Sequence, residues 1–284
     1  MAKAPPVRQR IIGAALRRHR ERVSFSLDDA ARILECDRSK ISRIETGHRG
    51  TRPKELRELL AEYGVDEAER VALAAIARQT GKRGWWQSYI HVLADAYRDY
   101  IILESTAEAI WTYEAHLMPG LLQTEDYARA IAAASLVYET REQQEQVVEV
   151  RLARQRVLSH DDPPQLWAIL SEGALRQMIG GPAVMRAQLA RLAEIANELS
   201  NITLQVLPFT VGAHAAGNSG PFAILKFPEA PDLGVVYLEA HTGGVYLEDA
   251  AEVARYNLVF EHLRASALST AATTRLISEV AREL

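Results

Sequence analysis

The segment from Ser26 to Gly47 constrains the fold more than any other part of the chain, because it holds two short amphipathic helical patterns with only a brief break between them. Ser26 is a favourable helix N-cap, and Asp37 can cap the helix that follows the break. Ile41 and Ile44 are spaced to share the inward face of that second helix. Gly47 can adopt the left-handed conformation with which many helices end. The segment therefore predicts two short helices joined by a tight turn.

Further helices are predicted on both sides of this segment, over residues 7–23, 53–63 and 66–79. The first of them is rich in arginine, and Pro53 stands at a first helical turn, where proline is tolerated. Together the five helices predict an all-α domain over residues 1–80. The composition of Thr80–Gly84 is that of a linker, which we place at 81–84.

The rest of the chain, residues 85–284, mixes helical and strand-like patterns. Helices are predicted over 85–104, 124–137, 140–159, 182–200, 249–267 and 270–283. Strands are predicted over Gln165–Ser171, Thr203–Phe209, Pro221–Phe227, Gly234–Ala240 and Gly244–Glu248. Thr242-Gly-Gly244 is a hairpin signal between the last two strands. This pattern predicts an α+β domain with a mainly antiparallel sheet.

Charge is distributed unevenly along the chain. Residues 1–83 contain 19 Lys and Arg against 12 Asp and Glu, a net charge of +7. The remaining residues contain 14 basic and 25 acidic side chains, a net charge of −11, so the overall charge of −4 hides the separation. A small basic region joined to a larger acidic one predicts that only the first binds a polyanion.

The composition excludes several classes of protein. With one cysteine, Cys36, the chain cannot form an internal disulfide framework or a cysteine-based zinc site. No apolar run approaches the roughly 18 residues that a membrane span needs. The stretch Met1–Pro6 leads into the arginine-rich helix without the apolar core of a signal peptide, so a cytoplasmic protein is expected.

The residues from Ser26 to Gly47 resemble the helix-turn-helix of phage-repressor-like regulators, the Xre family. The resemblance implies that the second helix of the motif is a recognition helix, whose N-terminal end faces base edges in the major groove of double-stranded DNA. One departure is Glu35, at a turn position often held by glycine. Either a left-handed backbone at Glu35 costs about 1 kcal/mol, or the turn differs slightly from the one usual in the family.

The resemblance places candidate DNA contacts on and around this recognition helix. Arginine can donate two hydrogen bonds to O6 and N7 of guanine, which makes Arg38 and Arg43 candidates for base reading. Ser39 is a third candidate, for a base or a phosphate. The candidate phosphate contacts are Ser26, Lys40, Ser42, Thr46, His48, Arg49 and Arg52.

The resemblance also implies a structural ion pair. In the family, the position of Glu45 pairs with a basic residue of the first helix, which aligns here with Arg20. We therefore expect a partly buried Arg20–Glu45 salt bridge that holds the domain together, since removing one partner of such a pair leaves an uncompensated charge.

Almost the whole remainder of the chain resembles a domain of uncharacterised function that follows the helix-turn-helix in many bacterial regulators. The matching runs include Gly84-Trp-Trp86, Pro119-Gly-Leu-Leu-Gln-Thr124, Arg154-Gln155, Gly180-Gly-Pro182, Gln205-Val-Leu-Pro208, Gly212-Ala-His214 and Gly220-Pro-Phe222. The resemblance implies an antitoxin-like regulator, often paired with a small protein encoded next door.

Catalysis is not expected. Five polar residues could in principle form a site: Glu172, Gln205, His214, Glu239 and His241. Of these, Glu239 and His241 would face the same side of a regular strand. Neither a His-Glu-x-x-His metal signature nor a Gly-x-Ser-x-Gly nucleophile turn accompanies them. We therefore expect no enzyme activity, no metal and no cofactor.

Two functions remain open. The first is a homodimeric DNA-binding repressor or activator on an inverted-repeat operator, whose acidic domain senses a small molecule or a partner protein. The second is an antitoxin-like interaction factor that neutralises its partner and regulates its own operon. Both functions require the helix-turn-helix, so the sequence does not separate them.

Overall fold

A computed structural model of the chain describes residues 5–78, 89, 93, 95–160, 162–227, 234–240 and 243–284. The predicted linker at 81–84 and the two tryptophans of the Gly84-Trp-Trp86 run lie outside these ranges. So do Thr242 of the predicted hairpin turn and His241 of the candidate polar residues. Among the described residues, no helix combines the length and the hydropathy needed to cross a membrane.

Five helices come first and pack into one bundle. They are α1 (Val7–Arg22), α2 (Leu27–Ile33), α3 (Arg38–Glu45), α4 (Pro53–Glu62) and α5 (Glu67–Arg78). Their apolar stripes meet in one cluster, in which Leu16 of α1, Ile41 of α3 and Leu59 of α4 are each no more than 1% exposed. The predicted five-helix, all-α region is confirmed.

The turn between α2 and α3 follows from its residues. Ser26 caps α2 reciprocally: its hydroxyl oxygen accepts a hydrogen bond from the Asp29 amide at 3.1 Å, and the Asp29 carboxylate accepts one from the Ser26 amide at 2.7 Å. Glu35 takes the left-handed conformation, with a φ of 47°. Asp37 occupies the N-cap position of α3, but its side chain makes no capping hydrogen bond to the described backbone. The start of α2 is thus fixed by its own cap, whereas α3 depends on its neighbours.

Gly13 lets α1 and α3 approach each other closely. A Cβ atom at Gly13 would lie 2.4 Å from the carbonyl oxygen of Ile44 and 2.6 Å from that of Glu45. Both oxygens belong to the backbone of α3, so neither can rotate away. The crossing therefore requires a residue that has no Cβ atom.

A six-stranded sheet forms the centre of the rest of the structure. Its strands are β1 (Ala109–Glu114), β2 (Gln165–Ser171), β3 (Ile202–Leu207), β4 (Phe222–Lys226), β5 (Val235–Ala240) and β6 (Gly243–Leu247). In space they follow the order β3-β2-β1-β4-β5-β6. The pairs β1–β2 and β2–β3 are parallel, whereas β1–β4, β4–β5 and β5–β6 are antiparallel.

Seven α-helices of the described residues accompany this sheet. They are α6 (Asp95–Glu104), α7 (Glu125–Ala134), α8 (Arg141–Gln155), α9 (Glu172–Arg176), α10 (Pro182–Glu198), α11 (Ala250–Ser266) and α12 (Thr270–Glu283). A parallel strand pair needs a crossover connection. Helices α7 and α8 lie on the crossover from β1 to β2, and α9 and α10 on the crossover from β2 to β3.

The prediction of an α+β region with a mainly antiparallel sheet is confirmed, with two additions. The sheet is mixed, because its β3–β2–β1 side is parallel. The sequence patterns also omit β1, although this strand joins the parallel and antiparallel halves. Without β1, the strand that pairs with both β2 and β4 is missing from the sequence patterns, so the connection between the two halves of the sheet cannot be predicted.

Alternate residues of the strands belong to two separate apolar clusters. Ile110 of β1 and Ala223 of β4 pack in the cluster that also contains the five-helix bundle. Ile224 and Val236 pack with Phe260 of α11 in the other cluster. Because successive side chains of a strand point to opposite faces, the sheet is covered on both sides.

The start of α1 joins the bundle to the sheet region. The Val7 amide donates to the carboxylate of Asp99 in α6 at 3.4 Å. Arg10 Nη2 lies 2.8 Å from Oε1 of Glu248, the residue after β6. Burial raises the pKa of Glu248 to about 7, Arg10 opposes this shift and Asp99 adds to it. One helix therefore contacts both α3, at Gly13, and the end of β6.

Replacing Gly13 should test the close helix crossing. Alanine normally stabilises a helix interior by about 1 kcal/mol over glycine, but the added methyl group must here push α1 away from α3, and such overpacking costs about 1–3 kcal/mol. Gly13→Ala should therefore lower the free energy of unfolding in urea denaturation. Gly50→Ala is the control, because a Cβ there would meet only the Gln9 side chain, at 3.4 Å. A Gly13→Ala variant as stable as the parent would contradict the crossing.

Glu248 should make stability depend on pH. Its pKa is about 7 in the folded protein against an ordinary value of 4.5, so the folded chain keeps a proton that the unfolded chain releases. The stability contributed by this group is complete below pH about 4.5 and is lost as pH rises through about 7. As the pH rises through this range, the free energy of unfolding of the parent should fall relative to that of Glu248→Gln. The groups facing Glu248 are Arg10, Asp99 and Tyr246. Parallel pH profiles for parent and variant would contradict the assignment.

Candidate nucleic-acid interface

Helix α3 carries its apolar and polar residues on opposite sides. Ile41 and Ile44 are each 1% exposed and pack inside the bundle. Arg38, Ser39 and Arg43 are exposed on the other side. Ser39 and Arg43 are four residues apart, so they are neighbours on one helix face. All three predicted base-reading residues therefore lie on the outer surface of the motif.

The two arginines of this surface make only weak contacts in the free protein. Arg38 Nη1 lies 3.9 Å from Asp28 Oδ2, and both side chains are about two-thirds exposed. Exposed pairs of this kind contribute little to stability. Arg43 Nε donates to the Ser39 carbonyl oxygen at 3.3 Å. Both guanidinium groups can exchange these contacts for a ligand at small cost.

The residues that follow α3 form a second exposed group. Arg49 and Arg52 are exposed. Neither guanidinium forms a salt bridge within the described chain, although Arg52 interacts electrostatically with Glu55. The Thr46 hydroxyl donates to the Ser42 carbonyl oxygen at 2.8 Å and lies 3.1 Å from Nδ1 of His48. The predicted phosphate contacts from residue 42 to residue 52 are thus located at and beyond the C-terminal end of α3.

Two predicted phosphate contacts, Lys40 and Ser26, have other partners in the structure. Lys40 Nζ lies 2.7 Å from Oε1 of Glu55, and both side chains are less than one-fifth exposed. Glu55 also accepts a hydrogen bond from the Arg52 amide at 3.1 Å, so it ties α3 to the start of α4. The Ser26 hydroxyl donates to the Asp29 carboxylate at 2.6 Å. Their phosphate contacts stay predictions, and Lys40 would have to exchange Glu55 for DNA.

Arg20 and Glu45 form a buried, two-bond ion pair between α1 and α3. Arg20 Nε donates to Glu45 Oε1 at 2.6 Å, and Nη2 donates to Oε2 at 2.9 Å. A third donor, Nη1, reaches the Phe25 carbonyl oxygen at 2.7 Å. The hydrogen bond with Glu45 raises the pKa of Arg20 above its usual value. The pair implied by the family resemblance therefore holds α3 without belonging to its exposed surface.

Sequence reasoning missed further residues that position the motif. The backbone contact at Gly13 has no sequence signal, because glycine inside a helix has many causes. Glu55 could have been found, since it follows Arg52 at the spacing of a capping box. His19 is buried, with Nε2 2.8 Å from Oε1 of Glu69, and this contact joins α1 to α5.

The polar residues considered for catalysis have separate surroundings. The contacts are Glu172 with Arg176 at 2.7 Å, Gln205 with the Trp167 indole at 2.8 Å, and His214 with the Tyr113 hydroxyl at 3.5 Å. Glu239 is exposed on β5. Among the described residues, no three metal-ligating side chains come together. The expectation of no enzyme activity stays a prediction.

Comparison with known protein families assigns the chain. Residues 97–279, more than half of the chain, match the family described as Domain of unknown function (DUF5753). The chain belongs to the DUF5753 family. Residues 11–73 of this DUF5753 protein match the Helix-turn-helix domain, and no curated protein or solved structure matches the chain.

The helix-turn-helix match indicates that this DUF5753 protein is a DNA-binding regulator of transcription. The matched range ends before the predicted linker, and the DUF5753 match begins after it. The division into residues 1–80 and 85–284, with its boundary at 81–84, stays a prediction.

Glu45→Ala should strongly destabilise this DUF5753 protein. The substitution leaves the buried guanidinium of Arg20 without its counter-ion, and breaking a buried pair in this way costs about 3–5 kcal/mol. Urea denaturation should show this loss in the free energy of unfolding. Glu58→Ala is the control, because it removes a carboxylate of α4 that pairs with the exposed Lys54 and not with Arg20, and its midpoint should hardly move. Equal midpoints for the two variants would show that the buried pair does not hold α3.

Proposed function

We propose that this DUF5753 protein is a sequence-specific transcription regulator of the Xre type. Helix α3 enters the major groove of double-stranded DNA with its N-terminal end, where Arg38 and Arg43 read guanine and Ser39 contacts a base or a phosphate. One observation supports this proposal most. The three side chains are exposed on a helix whose opposite side is fixed by buried isoleucines and by the Arg20–Glu45 pair.

Phosphate contacts would supply affinity and register around this helix. Their proposed donors are Ser26, Lys40, Ser42, Thr46, His48, Arg49 and Arg52. The net charge of +7 over residues 1–83 supports this part of the proposal, because it attracts any duplex before bases are read. Arg49 and Arg52 are the strongest candidates, since both are exposed and neither guanidinium forms a salt bridge within the described chain.

Two copies of the chain are proposed to bind one operator. A single helix-turn-helix offers limited contact area, and a two-fold dimer recognises an inverted repeat with half-site centres about 10 base pairs, or a multiple, apart. The larger region carries a net charge of −11, which repels DNA. It is therefore the region available for contact between copies.

The sheet region is proposed to sense a small molecule or a partner protein, without catalysis or a cofactor. Helix α1 supports this role, because it contacts α6 and the end of β6 at its start and α3 at Gly13. A ligand that moves α1 on β6 would move the recognition helix as well. In the antitoxin-like alternative, the same region binds a small protein, and its stoichiometric co-purification would favour that function.

Arg38→Ala and Arg43→Ala should each weaken binding to the preferred duplex and relax its base preference. Losing a two-bond contact with guanine costs about 1–3 kcal/mol at one position of the site. Selection of duplexes from a random pool, followed by fluorescence anisotropy on the selected site, measures both effects. The selected sequences should form an inverted repeat. The control is Arg255→Ala, an exposed arginine on α11.

Three results would contradict this role of α3. The first is equal loss of affinity on selected and random duplexes for both variants, because base readers must discriminate. The second is an Arg255→Ala variant as impaired as Arg43→Ala. The third is a parent protein that binds no duplex even at low salt, where phosphate contacts are strongest.

Arg49→Ala or Arg52→Ala should weaken binding to all duplexes to the same extent. Each lost phosphate contact removes one released counter-ion, so the slope of log affinity against log salt should become shallower by about 1. Anisotropy titrations at several salt concentrations give this slope. An unchanged slope with a loss confined to one base position would make these arginines base readers instead.

A further inference from the structure

A cavity of about 530 Å³ lies against one face of the sheet, the inner face, which carries Thr112, Ala223 and Tyr237. Its volume is within the range of about 300–1,000 Å³ that is usual for small-molecule sites. The lining comes from strands β1, β4, β5 and β6, from helices α6, α7 and α8, from the segment after β1 and from the connection between α7 and α8. None of its lining residues belongs to the helix-turn-helix, so this cavity is separate from the DNA-binding surface.

Glu114, the last residue of β1, lines this cavity. Its Oε1 atom accepts a hydrogen bond from the Thr112 hydroxyl at 3.0 Å. Within the described chain, no basic side chain pairs with its carboxylate. Burial raises the pKa of Glu114 to about 8, the Thr112 hydrogen bond opposes this shift, and Glu239 adds to it. A carboxylate in such surroundings is costly unless a cation approaches it.

The strand register brings the polar residues of the cavity together. Thr112 of β1 is opposite Ala223 of β4, which is opposite Tyr237 of β5. Glu114 and Glu239 each follow by two residues, so they lie on the same face of the sheet. The sheet itself therefore sets two carboxylates beside a tyrosine.

The positive charges near the cavity are largely compensated. Arg154 donates to both carboxylate oxygens of Glu104, at 2.9 and 2.7 Å, and also to the Tyr97 hydroxyl oxygen. Arg151 donates to the Gln123 side-chain oxygen at 2.9 Å and retains its charge. Since Glu104 neutralises Arg154, the lining sets two acidic side chains, Glu114 and Glu239, against one arginine, Arg151, that has no carboxylate partner in the described chain.

Tyrosine rings supply the apolar walls. Tyr97, Tyr138 and Tyr237 all line the cavity. Gly244 makes the position of the Tyr237 ring possible, because a Cβ atom there would lie 2.0 Å from Tyr237 Cε2. Aromatic rings pack against aromatic ligands and also attract cations.

We propose that this cavity binds an arylalkylamine, a compound with an aromatic ring and a protonated amine. Glu114 pairs with the ammonium group, and the tyrosine walls contact the ring. The role of such a compound as the effector of the regulator rests on the proposed function. Its binding to the cavity does not, because this binding requires no DNA.

Calorimetric titration of the full chain with phenethylamine, tyramine and tryptamine tests this proposal. At least one amine should bind saturably, with a Kd below roughly 1 mM. Its alcohol analogue, which has the same ring and no charge, should bind at least about tenfold more weakly. Glu114→Gln should weaken the amine by at least about tenfold and leave the alcohol unchanged. The control Glu252→Gln, on α11 at the other face of the sheet, should bind the amine as the parent does.

The proposal is overturned if no amine of the three saturates, if the alcohol binds as tightly as the amine, or if Glu114→Gln keeps full affinity for the amine. Tighter binding of the corresponding arylalkyl acid would overturn it too, since Arg151 would then select the ligand. Should Glu114→Gln fail to fold, the comparison of amine with alcohol on the parent decides. Duplex selection with the same preparations separates the two proposals: amine binding without duplex binding contradicts only the regulator, and the reverse contradicts only the cavity.

Discussion

The buried contact between α1 and α3 is the constraint on which the rest of the motif depends. Gly13 sets the distance between the two helices, because only a residue without Cβ fits against the α3 carbonyl oxygens. The Arg20–Glu45 pair sets the rotation, since a planar guanidinium that donates two parallel bonds fixes the orientation of its carboxylate. Because the distance and the rotation of α3 relative to α1 are both fixed, the face of α3 that carries Arg38 and Arg43 is held outward in one orientation.

Helix α1 is shared between this motif and the sheet region. Arg10 lies beside Gly47, where a Cβ atom would come within 2.8 Å of its side chain, and it also pairs with Glu248 after β6. The contact of α1 with α3 and its contact with the end of β6 differ in strength. Towards α3, a two-bond buried pair holds the helix, whereas towards β6, burial outweighs the effect of Arg10 on the pKa of Glu248. In the proposed regulator, the contact with β6 is therefore the one that a signal would change.

The sequence predicts those parts of the structure in which local chemistry decides the outcome. The five-helix region follows from caps and apolar spacing, and Glu35 takes the strained turn that the motif demands. Strand β1 is missed because Ala109–Glu114 is short and forms a strand by pairing with β2, which lies more than 50 residues further along the chain. The partner of Lys40 is missed for a similar reason: exposure of a lysine depends on whether Glu55 reaches it from another helix.

Tertiary packing places Glu114 at the cavity, although no sequence motif marks this residue. A strand covered on both faces is expected to be almost wholly apolar, yet the inner face of β1 carries Thr112 and Glu114. The same region buries Arg154 and supplies Glu104 as its counter-ion, so the fold can neutralise an interior charge where stability alone is at stake. At Glu114 it supplies a neutral hydroxyl instead and leaves the carboxylate facing the cavity. A ligand-binding role for Glu114 explains why this partly buried carboxyl group faces the cavity without a counter-ion, whereas the buried Arg154 has one.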